Sequence, residues 1–158
     1  MMKRTIFIVV VFFAATLYAQ GVDKNINDNP RVKRPYGLSF NLGGPTYVAS
    51  VSMDCFILPV LNVEAGGGIW GYYAGPKYHF NGQKKYKEGT LYTGFVLTAY
   101  PPFIDEKRET GYGYYIPLGI NSIADNGYTF SLEVAYNNRL DKGENFPLWF
   151  SLKFGYHF

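Results

Sequence analysis

Cysteine, histidine and net charge are all scarce in this chain. Cys55 is the single cysteine, so an intrachain disulfide, a thiol pair and a cysteine-based zinc site are excluded. It reads as a small half-buried hydrophobe on a strand. The two histidines, His79 and His157, stand far apart and give no basis for a metal site. Two of the 15 basic residues, Lys3 and Arg4, lie at the extreme N-terminus, and the others nearly balance the 12 acidic ones. That balance predicts no broad basic face for nucleic acid. Long apolar runs are also missing, with one exception from Thr5 to Leu17. Preceded by Lys3-Arg4 and followed by Tyr18-Ala19-Gln20, this run is short for a bilayer span and has the three-part layout of an export signal, residues 1–19. Cleavage is expected after Ala19, although Leu17 is larger than the residue usual two places before it. The lack of a cysteine near the cut argues against a lipid anchor.

Aromatic residues make up 19% of the chain and glycines number 18, a balance that points to many strands and many turns. Beyond the leader, the length suits one domain rather than two. Residues 20–34 are polar and aperiodic, which predicts a flexible tail. Its cluster Arg31, Lys33 and Arg34 is expected to be a solvated charge run.

From Pro35 onward the period is close to two, and residues 35–158 read as eight strands. Strand one places Tyr36, Leu38, Phe40 and Leu42 on one face. Gly43-Gly44-Pro45-Thr46 turns the chain into strand two, where Tyr47, Ala49, Val51, Met53 and Cys55 oppose Ser50, Ser52 and Asp54. Strand three alternates Leu61, Val63, Ala65, Gly67 and Ile69 against Asn62, Glu64, Gly66, Gly68 and Trp70. A bend near Gly71 begins strand four, about Tyr72 to Phe80. Strand five, Thr90 to Tyr100, is ambiguous, because Tyr92 and Val96 compete with Leu91, Phe95 and Leu97 for one face. Strands six and seven show Tyr112, Tyr114, Ile116, Leu118, Ile120 and then Tyr128, Phe130, Leu132, Val134, Tyr136. Between them Asp125-Asn126-Gly127 predicts a tight hairpin built on φ > 0 residues. Strand eight runs Leu148, Phe150, Leu152, Phe154, Tyr156, Phe158 at strict alternation. The Lys84 to Glu88 turn, the charged stretch Pro101 to Thr110 and Asn137 to Asn145 are the long connections.

Phe154, Tyr156 and the terminal Phe158 resemble the C-terminal insertion signal of bacterial outer-membrane β-barrels. The whole chain, with leader, polar tail and eight alternating strands, resembles the small outer-membrane barrels related to the transmembrane domain of outer membrane protein A. Tyr73-Ala74-Gly75-Pro76-Lys77-Tyr78-His79-Phe80 and Tyr115-Ile116-Pro117-Leu118-Gly119-Ile120 are similar to small barrels of the Bacteroidetes type. The resemblance implies an all-β, eight-stranded antiparallel up-and-down transmembrane barrel in the cell outer membrane, surrounded by outer-membrane lipids, inserted by the barrel-assembly machinery and monomeric. Closure suits hydrocarbon, where an open strand edge finds no water. Tyr36, Tyr112, Tyr128, Tyr136 and Tyr156 suit interfacial girdles.

By parity Asp54, Glu64, Lys77, Glu133 and Lys153 point into the lumen, with Ser39, Asn41, Ser50, Ser131, Ser151 and His157. Eight strands leave an interior that side chains fill, so a polar plug is expected, with a narrow solute or proton path as the alternative. Some small outer-membrane barrels are lipid A deacylases or acyltransferases, but neither histidine lies in a His-x-Ser arrangement and no catalytic residue or cofactor is expected. Gly66-Gly67-Gly68 precedes no helix and is no phosphate cradle; it predicts curvature or close packing beside Trp70. The reading favours membrane integrity or surface interaction through the outer loops. A permeation barrel and a soluble periplasmic lipocalin-like barrel are the alternatives.

Overall fold

The computed structural model describes residues 29–83, 89–102, 110–140 and 147–158. The leader, most of the tail, and the central parts of the three long connections lie outside these residues. The alternation of apolar and polar side chains yields strands throughout. They are β1 (Tyr36–Gly43), β2 (Ala49–Leu58), β3 (Leu61–Gly68), β4 (Gly71–His79), β5 (Thr90–Gly94 and Val96–Tyr100), β6 (Gly111–Ile123), β7 (Tyr128–Arg139) and β8 (Leu148–His157). Each pairs antiparallel with its neighbours in sequence, and β1 also pairs with β8. The result is a closed eight-stranded antiparallel barrel. Closure is sealed at its end by reciprocal backbone bonds between Tyr36 and Phe158.

The interruption in β5 has a local cause. The register pairs Lys77 with Gly94 and Thr93 with Leu118, which sets Pro76 across from Phe95 and Pro117 across from Gly94. A proline has no N–H to give, so the ladder thins on both sides of one point. The break shifts nothing. Tyr92 and Val96 both face inward and are buried, while Leu91, Phe95 and Leu97 face out, which resolves the ambiguity of this strand.

Outward positions on all eight strands are apolar or neutral, and no Asp, Glu, Lys or Arg points outward from a described strand. Tyr36, Tyr128 and Tyr156 stand at the end of the barrel that carries the last residue, and Tyr112 and Tyr136 near the far end, all exposed. The connections between β3 and β4 and between β6 and β7 are tight. In the latter, Gly127 alone has positive φ, 98°, and its N–H donates to the Ala124 carbonyl. Asp125 and Asn126 do not share that conformation. The predicted tight hairpin is thus a three-residue loop closed by one left-handed glycine.

Three expectations are corrected. Tyr47 does not face outward on β2: the strand begins at Ala49, and Tyr47, at φ 68°, packs on the rings of Tyr100 and Trp149. The glycine run packs on neighbours other than Trp70, which does not continue strand three inward: Gly66 lies against Tyr73, Gly67 against Tyr72 and Gly68 against the Ala49 carbonyl. A Cβ on Gly66 would lie 2.5 Å from the Tyr73 ring, whereas Trp70 is exposed in the turn. Arg31 is not a solvated charge; it is only 2% exposed. Asn29 caps a short helix, α1 (Pro30–Lys33), by accepting from the Arg31 N–H at 2.9 Å, with Pro30 at the first helical position. This turn of helix sits in the mouth of the barrel.

Candidate functional site: an ion-paired lumen closed at both mouths

Asp54 and Glu64 are directly opposite each other on β2 and β3. Two adjacent carboxylates demand cations, and the barrel supplies them from β8 and β4. Lys153 Nζ lies 2.9 Å from Glu64 Oε2 and 3.3 Å from Asp54 Oδ1. Lys77 Nζ lies 2.9 Å from the same Glu64 oxygen and 2.6 Å from Glu133 Oε1 on β7. The structure therefore joins Asp54, Lys153, Glu64, Lys77 and Glu133 into one chain of alternating charge across the lumen. All five are buried. Burial of ions is tolerable only when their remaining lone pairs and protons are also engaged.

Here they are. Asn62 Nδ2 donates to Asp54 at 2.6 Å, and the Tyr73 hydroxyl donates to Glu64 at 3.1 Å. Glu133 accepts from the Tyr92 hydroxyl at 2.5 Å and from that of Tyr115 at 2.9 Å. Glycine makes room for the phenols. A Cβ on Gly119, the residue opposite Glu133, would lie 2.8 Å from the Tyr92 ring. Asn41 completes the lattice, its two amide protons shared among the Ser50, Ser52 and Tyr73 oxygens, which lie 3.1, 3.1 and 2.9 Å from Nδ2.

Arg31 is the residue that sequence reasoning missed. Its guanidinium donates to Thr90 and, at 3.4 Å, to Asn121, and lies 5.6 Å from the centre of the Phe56 ring. Desolvation pushes its pKa down to about 10, which leaves it charged at neutral pH. Among the described residues the buried charges are then three carboxylates and three cations. The lumen is neutral only when α1 is counted. The Asn29-Pro30 pair, an N-cap followed by proline, is the one signal in the sequence that marks this turn of helix.

The histidines flank the network near the same mouth. His157 donates from Nδ1 to the Arg34 carbonyl, 3.2 Å away, and its Nε2 lies 3.5 Å from Asp54. Both nitrogens are thus directed at partners other than a nucleophile. His79 stacks on Tyr92 and packs on Phe56, with centroids 5.0 Å apart in each case. A cavity of about 10 Å³ lies between His79, Asn121, Ser131 and the ion chain, at the lower limit for one water molecule. Among the described residues no group of three His, Cys, Asp or Glu side chains is placed to hold a metal ion.

Above the ions, Tyr73, Val96, Tyr115 and Ala135 form an apolar layer, with Trp149 packed against it. Beyond that layer the Gly44–Thr46 turn folds inward and is buried, and the Tyr100 hydroxyl donates to the Pro45 carbonyl at 3.2 Å. Each mouth is therefore occupied by a short segment of the chain itself. Ser39, Ser50, Ser131, Ser151 and Asn41 are buried in the lumen wall, while Phe154, Tyr156 and Phe158 are exposed on the outer wall. Compared with protein-family models, curated proteins and solved structures, the chain matches none.

Proposed function

We propose that this chain is a small integral protein of the bacterial outer membrane, whose barrel is shut by its own polar lumen. Its contribution is to membrane integrity, or to surface interaction through the loops at the far end. One observation carries the reading, the inversion of polarity: six charged side chains are buried inside while the outward strand positions carry Leu, Phe, Val, Ile and Tyr. In water such a surface would drive association. In a bilayer it is the solvated face, and the tyrosines at both ends take up the interfacial levels. Phe154, Tyr156 and Phe158 are the residues assigned to recognition by the barrel-assembly machinery, outer-membrane lipids are the surrounding solvent, and the closed β1–β8 seam suits a monomer.

A lipocalin-like ligand carrier needs an apolar interior with room for a guest; the charged lumen and its small cavity oppose it. A permeation path is opposed by the continuous ion chain and by the apolar layer above it. No catalytic role is proposed, since neither histidine is set against a nucleophile.

The test is the fraction in which the expressed protein is recovered, with gel mobility before and after boiling. Recovery with the outer membrane and a mobility shift on boiling are expected. Recovery as a soluble periplasmic protein would overturn the proposal.

A further inference from the structure

On the outer wall at the β7–β8–β1 seam, two rows of side chains are set by the register. One is Tyr128, Tyr156 and Leu38; the other is Phe130, Phe154 and Phe40. A trough of about 670 Å³ lies against Leu38, Tyr128, Phe130, Phe154 and Tyr156, over Gly155 and beside the β6–β7 hairpin. This is the size of a small-molecule site, about 300–1,000 Å³. Its walls are apolar along most of its length. At the end nearer α1 it changes character, because the Tyr156 hydroxyl accepts from Arg34 Nη1 at 3.2 Å and the guanidinium lies 5.9 Å from the Tyr156 ring centre.

Arg34 is the odd member of the basic cluster. Arg31 is consumed by the lumen, whereas Arg34 is only part-buried and its other hydrogen bond is to the His157 carbonyl, at 3.5 Å. Among the described residues no carboxylate pairs with it. A guanidinium offers five donors in a planar fork that matches a phosphate, and two acceptors do not exhaust it. An apolar trough that ends in a phenol and a guanidinium with no carboxylate partner among the described residues is complementary to an amphiphile with an anionic head.

We infer that this trough binds one anionic glycerophospholipid, an acyl chain lying against Leu38, Phe130 and Phe154 and the phosphate on Arg34. The lipid belongs to the leaflet facing the end that carries α1. A zwitterionic lipid brings its own cation to the same place and gains less from Arg34. The inference rests on the outer-membrane reading.

The test uses the protein recovered from membranes and held in detergent micelles containing equal amounts of phosphatidylglycerol and phosphatidylcholine, read by native mass spectrometry. One phosphatidylglycerol is expected to be retained in preference, by about fivefold, the ratio that one exposed charge-assisted contact supplies. Arg34→Gln should abolish the preference. Leu38→Trp, which fills the trough from the outer wall, should lower retention of both lipids. Arg139→Gln, the same charge change at the opposite end, should leave it intact. A mobility shift on boiling verifies folding of each variant, and Arg34→Lys serves if Arg34→Gln does not fold, with a reduced preference expected. Equal retention of the two lipids, or a preference that survives Arg34→Gln, overturns the inference. So does displacement of the lipid by glycerol phosphate in solution, which would mean a phosphate site without a chain site, or occupation of the trough by a second copy of the protein. A soluble periplasmic protein would remove both this inference and the outer-membrane reading. A heat-modifiable membrane barrel without bound lipid would remove this one alone.

Discussion

Lys77 and Glu133 meet at 2.6 Å although they come from β4 and β7, three strands apart around the wall. The same ammonium holds Glu64 on β3 at 2.9 Å. One side chain thus ties three strands through the lumen, in a place where an ordinary domain would use a hydrophobic core. Removing a single member of such a buried pair leaves an uncompensated ion, a loss of about 3–5 kcal/mol.

Lys77→Met is therefore expected to destabilise the barrel by about that amount, read as a lower urea midpoint for loss of the heat-modifiable form. Glu133→Gln added to Lys77→Met should recover part of the loss, since it removes one of the stranded carboxylates. Additive effects of the two changes would show that the pair is not coupled.

Arg31 makes a second prediction, because it is held by α1 rather than by a strand. Arg31→Gln leaves three buried carboxylates facing two ammonium groups and loses the hydrogen bond to Thr90. A loss of about 1–3 kcal/mol is expected. Arg31→Lys should recover some of it, because the charge returns without the planar fork. The midpoint temperature of the gel shift measures both. An unchanged midpoint in Arg31→Gln would mean that the segment before β1 rests on the mouth without holding it.

The closed lumen predicts electrical silence. With ion pairs in the middle, an apolar layer above and a chain segment in each mouth, the inserted protein should show no discrete conductance steps in a planar bilayer. Reproducible steps from the purified barrel would restore the permeation reading and require one of the two segments to move aside.

Much of this architecture is legible in the sequence wherever the two faces of a strand differ strongly in polarity. Strands β6, β7 and β8 declare both their existence and their facing, because every second residue is apolar and most of the intervening ones are small or polar, with Tyr115, Pro117 and Trp149 among the exceptions. The five strand-borne ions follow from parity alone. The facing of β5 does not, since Tyr92, Val96 and Tyr100 are apolar or aromatic and yet point inward. They serve inward purposes that polarity does not reveal: Tyr92 gives a phenol to Glu133, Val96 belongs to the apolar layer above the ions, and Tyr100 bonds the Pro45 carbonyl in the mouth. Arg31 was hidden for a different reason. A charge in a polar stretch looks solvated until the partner that buries it, here a barrel mouth lined by Phe56, Thr90 and Asn121, has been assembled from distant strands.

The outer wall provides the most direct discrimination between a membrane and an aqueous surrounding. Leu132 and Leu152 face each other across β7 and β8, near mid-strand, and Leu132 is 47% exposed. In water, Leu132→Arg would replace an exposed apolar group with a solvated ion and change stability little, within about 0.5 kcal/mol, as surface substitutions usually do. In hydrocarbon, arginine at that depth loses about 2–4 kcal/mol, and the loss falls towards zero near the interface. Tyr128→Arg, at the strand end on the same face, is the internal comparison. A large loss at Leu132 and a small one at Tyr128, measured by urea unfolding in lipid vesicles, is the expected outcome. Equal small effects at the two sites would mean that the wall is not solvated by lipid, and the apolar surface would then need a protein partner to cover it.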